Sequence, residues 1–236
     1  MNIETSEPTG QYLPDQIVLL GDSIFDNAPY VNTGESVSEQ LTGLIQTEAM
    51  KTVSGANSTT THVELLAIDG HVMANLPGQI ARARSKTHFN MQCAYLSCGG
   101  NDLLGYAASG LLDIEANNIG DALSSLHQVR ECFRKEYRHV LAVALRKFPK
   151  LTVCTIYDAV PTLSKAEIIA LGLFNEVILK EAAEHRVPVL DLRILCNEPD
   201  DYAPISPIEP SNQGAGKIAQ AIFNQYKRRK YNFHGV

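Results

Sequence analysis

The sequence lacks the features that mark membrane-spanning and secreted proteins. No apolar run in its 236 residues approaches the ~20 residues that a helix needs to cross a bilayer. The first residues, MNIETSEPTGQYLPDQ, are polar and acidic, and they contain neither the basic n-region nor the apolar h-region of a signal peptide. From these absences we expect a cytoplasmic protein without a transmembrane segment.

Cysteine is scarce, and the pattern of the five cysteines predicts neither disulfides nor metal binding. Their number is odd and their spacing is not that of a disulfide framework, so we expect free thiols in a reducing compartment. Cys98, close to a Gly-Asn-Asp turn, is a weak candidate for a second nucleophile. The sequence also has no H-E-x-x-H, no C-x-x-C and no dense carboxylate loop, and we therefore expect no metal ion and no cofactor.

Positive charge is limited as well. The formal net charge of −6 and the sequence pI near 5.6 disfavour nucleic acid as a partner, because phosphate binding needs a clustered basic face. The one basic cluster, residues 227–230, follows a helical pattern near the C-terminus, where cations interact favourably with the helix dipole. We interpret this cluster as a solvated helix end.

The sequence does contain a fivefold alternation of short apolar strands and amphipathic helices. The predicted strands are 16–20, 63–68, 94–97, 151–156 and 187–190. The predicted helices are 35–47, 71–84, 121–147, 164–185 and 211–228. Such alternation predicts an α/β fold, in which a five-stranded parallel sheet lies between two helix layers. We expect a single domain over residues 16–230, a flexible N-terminal segment 1–15 and a C-terminal tail 231–236.

Three predicted strands are followed at once by a polar or glycine-containing turn. QIVLLGDS places Ser23 after the first strand, LLAIDGH places Gly70 after the second, and AYLSCGGND places Asn101 after the third. Because parallel strands all point the same way, these turns are expected to converge at one edge of the sheet. Ser23 is therefore a candidate nucleophile, and Asp22 and Asp102 are expected to brace their turns by hydrogen bonds.

These blocks resemble those of the SGNH, or GDSL, hydrolases, whose motifs run in the order GDS, a lone Gly, G-x-N-D and a late D-x-x-H. The resemblance covers nearly the whole chain, and it implies a flavodoxin-like α/β/α sandwich with the strand order 2-1-3-4-5. It also implies that Ser23 attacks an acyl carbonyl, while the N–H groups of Ser23 and Gly70 and the Asn101 side chain form the oxyanion hole. The last block departs from the pattern, because Ser206-Pro-Ile-Glu209 stands where the family has its Asp and His.

The departure makes Glu209, in a proline-rich loop over 199–210, the candidate general base. Burial would raise the pKa of Glu209 toward the useful range, while a nearby helix N-terminus and the Ser206 hydroxyl would lower it, and the sequence leaves the net sign open. A neutral Ser206 can orient a glutamate without the repulsion that an aspartate would cause. His71, directly after Gly70, is the alternative base.

The resulting hypothesis is a serine esterase or acyl hydrolase that works through an acyl-enzyme on a small-molecule ester substrate, with segments 26–34 and 103–118 lining the pocket. The alternative is an impaired hydrolase-fold protein that binds an acyl ligand or a protein partner without turnover. A nucleotide-binding protein of flavodoxin type is disfavoured, because Asp22 stands where an anion would bind. The loops do not select an acyl-chain length, and nothing in the sequence indicates the oligomeric state.

Overall fold

The central feature of the computed structural model, which describes residues 13–52 and 60–233, is a parallel sheet of five strands. The strands are β1 Asp15–Gly21, β2 Thr61–Leu65, β3 Gln92–Ser97, β4 Leu151–Cys154 and β5 Val189–Leu190. Their order is β2-β1-β3-β4-β5, and every pairing is parallel. The predicted five-stranded parallel sheet and its strand order are confirmed.

Helices cover both faces of the sheet. They are α1 Val37–Thr52, α2 Leu76–Arg82, α3 Gly100–Ala108, α4 Ile119–Lys147, α5 Lys165–Glu184, α6 Leu192–Leu195 and α7 Asn212–Phe233. Among the described residues, no helix is both long enough and apolar enough to cross a membrane. The result is a three-layer α/β/α sandwich, as the alternating pattern predicts.

The alternation of side chains along β1 assigns each residue to one of two cores. Ile17 and Leu19 pack in the layer that contains α1 and α7, whereas Val18 and Leu20 pack in the layer that contains α2, α4 and α5. All four side chains are fully buried, as expected for a central strand that is covered on both faces. The carboxyl end of β1 therefore lies in the middle of the molecule, where Ser23 follows it.

Several helix ends follow the capping signals in the sequence. The Ser164 hydroxyl accepts the Glu167 N–H, and the Glu167 carboxylate accepts the Ser164 N–H, so that α5 begins with a reciprocal capping box. The Asn118 side chain accepts the Asp121 N–H in the same way at the start of α4. These caps explain why the two helices begin within two residues of their predicted starts.

Two predicted elements are wrong in their details. The predicted strand 63–68 ends at Leu65, because the N–H groups of Leu66 and Ala67 both donate to the Leu19 carbonyl and interrupt the regular ladder. The predicted helix 71–84 is a turn followed by the 3-10 segment Met73–Asn75 and the short α2. His71 consequently lies in a turn before the helix and not at its start.

The predicted loop 199–210 is also wrong, because most of it forms a two-stranded antiparallel sheet of β6 Tyr202–Ala203 and β7 Ser206–Pro210. Tyr202 pairs with Pro210, and Ala203 pairs with Ser206. Proline has no N–H to donate to a ladder, but its carbonyl can still accept a hydrogen bond. It is therefore tolerated in a two-stranded ribbon, where each strand is an edge strand. Glu209 therefore lies on a strand, which holds its backbone more firmly than a loop would.

The basic cluster near the C-terminus lies within α7 and not at its solvated end, so that interpretation is wrong. Lys227 contacts Glu48 on α1, and Lys230 lies 3.0 Å from Asp15 on β1. Arg229 donates to the Lys150 carbonyl at 3.1 Å and also to a threonine of β4. These cations hold α7 to the body of the protein.

Candidate active site

The turn that carries Ser23 begins with a close approach of two strands. Gly21 has φ +137°, and a Cβ atom at this position would lie 1.8 Å from the Ser97 carbonyl oxygen, so only glycine fits. After it, Asp22 closes the turn: its carbonyl accepts the N–H groups of Phe25 and Asp26 at 3.2 and 3.1 Å. Ser23 is 6% exposed at the carboxyl end of β1.

Aspartates brace this turn and its neighbour, as the sequence predicts. Asp22 accepts the Ile24 N–H at 3.2 Å, and burial raises the pKa of Asp22 to about 7. Asp102, at the start of α3, accepts the Met73 N–H with both carboxylate oxygens, at 3.3 and 3.1 Å. The turn after β2 is thereby tied to the turn after β3.

Two backbone N–H groups near the serine have no intramolecular use. Within residues 13–52 and 60–233, the N–H groups of Ser23 and Gly70 have no hydrogen-bond partner. Gly70 is exposed and has φ +76°, in the left-handed region that favours glycine. Both are therefore donors that an incoming oxygen atom could use.

The Asn101 side chain supplies a third donor. Its Nδ2 atom donates one hydrogen to the His71 carbonyl at 3.0 Å, which links it to the turn that contains Gly70. An amide nitrogen carries two hydrogens, so the second remains available. Asn101 also lines a cavity together with Ser23.

Gln79 on α2 fixes the backbone just before the serine. Its Oε1 accepts the Gly21 N–H at 2.9 Å, and its Nε2 donates to the Gly21 carbonyl at 2.7 Å. The same Nε2 lies 2.9 Å from His71 Nδ1. Because Nε2 can only donate, Nδ1 must accept, and the ring of His71 carries its hydrogen on the other nitrogen.

The two neighbours of Glu209 in the chain are held in place through their backbone carbonyls. The Tyr157 hydroxyl donates to the Ile208 carbonyl, and Asn27 Nδ2 donates to the Pro210 carbonyl at 3.0 Å. Asn27 is fully buried, and its Oδ1 also accepts the N–H of the first residue of α1 at 2.9 Å. The strand that carries Glu209 is thus attached to the segment that follows Ser23.

The hydroxyls of Ser206 and Ser23 both act electrostatically on the Glu209 carboxyl group. Burial raises its pKa above the ordinary value, the hydroxyls of Ser206 and Ser23 oppose that rise, and the negative charge of Asp69 adds to it. The net shift in the pKa of Glu209, whose direction the sequence leaves open, is therefore upward. Glu209 is 4% exposed, and its Oε2 atom has no hydrogen-bond partner in the described parts of the chain, so the two hydroxyl contacts do not saturate it.

Further acidic groups lie on the Glu209 side. The Tyr30 hydroxyl donates to Asp69 at 2.7 Å, and this bond is the main reason that the pKa of Tyr30 rises to about 12. Asp26 accepts the Asp69 N–H at 3.0 Å. This side of the site is polar and negatively charged.

On another side, Ser23 opens into a largely apolar cavity. The cavity encloses about 970 Å³ of empty space, including the part that opens to solvent. Its lining includes Asn101 and Ile208, and beyond them side chains of α3, of α5 and of the 3-10 segment Leu111–Asp113. Of the two predicted pocket segments, 103–118 contributes to this lining, although residues 103–108 belong to α3 and not to a loop, whereas 26–34 does not line the cavity.

Cys98 lines the same cavity, but burial raises the pKa of its thiol well above the ordinary value. A protonated thiol is a poor nucleophile, which disfavours Cys98 as a second one. Within the ranges that the structure covers, no group of three or more His, Cys, Asp or Glu side chains is arranged to hold a metal ion.

Sequence reasoning missed Gln79, Asn27 and Tyr157. Gln79 is a buried amide on an otherwise apolar helix face, and Asn27 is a buried amide in the turn after the GDS block. A polar side chain in an apolar context is a usable signal, because such a group needs partners when it is buried. Gly21 is 58 residues from Gln79, Ile208 is 51 residues from Tyr157 and Pro210 is 183 residues from Asn27, and no local pattern reveals these partners.

No protein-family model and no curated protein sequence matches this chain. Solved structures do match, and those described below are distant in sequence. A member of the lipolytic G-D-S-L family from Veillonella parvula shares 16% identity at a TM-score of 0.62, covering 91% of this chain and 99% of its own. An extracellular lipase from Streptomyces rimosus shares 16% identity at a TM-score of 0.59, covering 90% of this chain and 99% of that one.

An acetyl xylan esterase shares 15% identity with this chain at a TM-score of 0.62, covering 89% of this chain and 98% of the esterase. At such identities the likeness establishes the architecture. The chain therefore has the fold of the SGNH, or GDSL, hydrolases, over nearly its whole length.

Proposed function

We propose that this protein is a serine ester hydrolase in which Ser23 is the nucleophile and Glu209 is the general base. The observation that carries the proposal is that the buried carboxyl group of Glu209 lies close enough to the Ser23 hydroxyl for that hydroxyl to lower its pKa, while its Oε2 atom has no hydrogen-bond partner among the described residues. A nucleophile and a base within reach of one another, with the base itself positioned by further groups, are what acyl transfer requires. No other group need supply the proton transfer.

In the proposed reaction, the Ser23 hydroxyl passes its proton to Glu209 as its oxygen bonds to the ester carbonyl carbon. The carbonyl oxygen becomes an oxyanion, which the N–H groups of Ser23 and Gly70 and the Asn101 amide stabilise. The carbon–oxygen bond to the alcohol then breaks, and Glu209 returns the proton to the leaving alcohol. Water hydrolyses the acyl-serine by the same steps, with Glu209 as base again.

The electrostatics of Glu209 support this role. An ordinary glutamate is a weak base at neutral pH, and burial raises the pKa of this one. Its unpartnered Oε2 atom is free to accept a proton, while the Ser206 hydroxyl interacts with the same carboxyl group. Ser206 is thus proposed as an orienting group without charge.

The arrangement of His71 argues against the alternative base. Its Nδ1 atom is occupied by the Gln79 amide, and the tautomer that this bond requires places a hydrogen on Nε2. A ring nitrogen that already carries a hydrogen cannot accept the proton of Ser23. His71 instead contributes its backbone carbonyl, which holds Asn101.

The test is hydrolysis of p-nitrophenyl esters by the wild type and by Ser23→Ala, together with labelling by a fluorophosphonate. We expect Ser23→Ala to abolish turnover, and the probe to label the wild type at Ser23 alone. Ser124, an exposed serine on α4, provides a matched control as Ser124→Ala, which should leave turnover unchanged. If the wild type and Ser23→Ala are equally inactive and Ser23 is not labelled, the binding-protein alternative replaces this proposal.

A further inference from the structure

The cavity beside Ser23 is distinguished by what its walls contain. Apolar side chains make up most of the lining, among them Leu103, Leu111, Leu171 and Phe174. Among the residues that the structure describes, no lysine, arginine or histidine lines the cavity, and its acidic residues are Asp22 and Glu167. Such walls suit an uncharged hydrocarbon chain and disfavour a ligand that carries an anionic group inside the cavity.

The chemistry of acyl transfer decides which half of an ester enters this cavity. The base must return a proton to the leaving alcohol oxygen, so the alcohol has to lie on the side of Glu209. Glu209 itself does not line the cavity, although its neighbour Ile208 does. The acyl chain must leave the carbonyl carbon in another direction, and the cavity opens from Ser23 and Asn101 there.

The residues around Glu209, which do not line the cavity, have the contrasting character. Tyr30, Asp69 and Asp26 form a hydrogen-bonded polar group, and Tyr30 and Asp69 interact electrostatically with Glu209. A hydrophobic chain would gain nothing by lying against carboxylates, whereas a polar alcohol could hydrogen-bond to them. The two halves of the substrate are thereby assigned to two different environments.

From this asymmetry we propose that the cavity is an acyl-chain site, and that the substrates are esters with a hydrocarbon acyl group of medium or greater length rather than an acetyl group. The proposal rests on the proposed function for its reaction, but the site can also be tested by binding alone.

The first test uses p-nitrophenyl acetate, butyrate, octanoate and dodecanoate with the wild type and two variants of α3. Ala107 is half-buried and lines the cavity, whereas its neighbour Ala108 is exposed and does not. Ala107→Phe fills part of the cavity, and Ala108→Phe adds the same side chain outside it.

We expect kcat/KM of the wild type to rise about fourfold for each methylene that the cavity buries, so that octanoate exceeds acetate by at least ~10²-fold. Ala107→Phe should reduce that ratio at least about tenfold, and Ala108→Phe should leave the ratio unchanged. A wild type that hydrolyses acetate as fast as octanoate overturns the proposal. So does an Ala107→Phe variant that loses both activities in equal measure.

The second test separates the site from the reaction. Methyl nonyl ketone resembles an ester with a long chain but cannot be hydrolysed, and its binding is measured by calorimetry on Ser23→Ala with acetone as the short-chain control. We expect the ketone to bind to Ser23→Ala. Adding Ala107→Phe should abolish this binding, and adding Ala108→Phe should leave it unchanged. Binding without turnover in the wild type would remove the proposed function and leave the acyl site standing, whereas no binding overturns the site.

Discussion

A buried carboxylate lies near each end of strand β1, Asp15 on the strand itself and Glu209 on β7, and the surroundings of the two carboxylates differ. Asp15, at the amino end, is 0% exposed and accepts from the Tyr226 hydroxyl at 2.8 Å, from Asn90 at 2.9 Å and from Lys230 at 3.0 Å. Glu209, at the carboxyl end, is 4% exposed, and no cation or amide satisfies its Oε2 atom in the described chain. The two carboxylates are buried to nearly the same extent, but only Asp15 has a positively charged partner, Lys230, among the described residues.

The same contrast extends to the neighbouring amides. At the amino end, the Gln92 amide donates to Gln16 at 2.6 Å, and the Gln16 amide donates to Glu64 at 2.8 Å. At the carboxyl end, Gln79 and Asn101 are fixed on one side by backbone groups while neighbouring N–H groups stay unused. Unused buried polar groups cost free energy. At the amino end the described residues leave only Gln92 Oε1 without a partner, whereas at the carboxyl end the unpartnered Glu209 Oε2 is accompanied by the unused Ser23 N–H and by a cavity, a combination suited to bind or transform a ligand.

The largest expected effects come from replacing Glu209 and Asp15 by the corresponding amides. Glu209→Gln keeps the size of the side chain but removes the base, and we expect kcat to fall ~10²–10⁴-fold, with the free energy of unfolding changed by less than about 1 kcal/mol. Asp15→Asn should do the reverse: it removes the carboxylate that pairs with Lys230 and accepts from the Tyr226 hydroxyl, lowering the free energy of unfolding by about 3 kcal/mol at unchanged kcat. Ester hydrolysis and urea unfolding measure the two quantities, and a stability loss in Glu209→Gln as large as that in Asp15→Asn would contradict the comparison.

The asparagines provide the next pair. Asn101→Ala removes a proposed oxyanion donor, and kcat should fall ~10²–10³-fold while the fold is retained. Asn90→Ala removes one donor to Asp15, so the free energy of unfolding should fall by about 1 kcal/mol without an effect on kcat. A drop of only a few per cent in kcat for Asn101→Ala would exclude the Asn101 amide from the oxyanion hole.

The buried glutamines test positioning rather than contact with substrate. Gln79→Met keeps the volume but removes both bonds to Gly21 and the bond to His71, so we expect kcat to fall about tenfold with KM nearly unchanged. Gln92→Met is the matched change at the amino end, and it should lower stability alone. Steady-state kinetics on both variants check this, and equal kinetic losses in the two would show that Gln79 acts only through stability.

The smallest expected effect concerns pH. Glu209 must be deprotonated to act as base, so activity should fall as the pH drops through its raised pKa, which lies above the ordinary 4.5. Asp69→Asn removes a negative charge that contributes to the rise, so the pKa of Glu209 should fall and the acid limb of kcat/KM should move to lower pH by less than about one unit. Glu64→Gln, a like change within β2, should leave the limb in place. A limb that moves upward in Asp69→Asn would assign it to another group.

Most of the architecture could be predicted because its causes are local. Apolar runs of four to six residues predict buried strands, and the Ser164 and Asn118 caps predict where α5 and α4 begin. The GDS and GGND turns predict that Ser23 and Asn101 lie at the same sheet edge, because parallel strands end together. The β6–β7 ribbon was not predicted, since two prolines in five residues are more typical of a loop.

The sequence by itself determined the alternation of strands and helices, the candidate nucleophile Ser23 and the presence of Glu209 where the resembling family has a late histidine. Only the tertiary structure decided that burial outweighs the two serine hydroxyls in setting the pKa of Glu209, that Gln79 holds the Ser23 turn, and that an apolar cavity opens beside Ser23. The physical reason is the distance along the chain over which each effect acts. Propensity and periodicity act over a few residues, whereas desolvation, long-range hydrogen bonds and cavity walls depend on residues that only folding brings together.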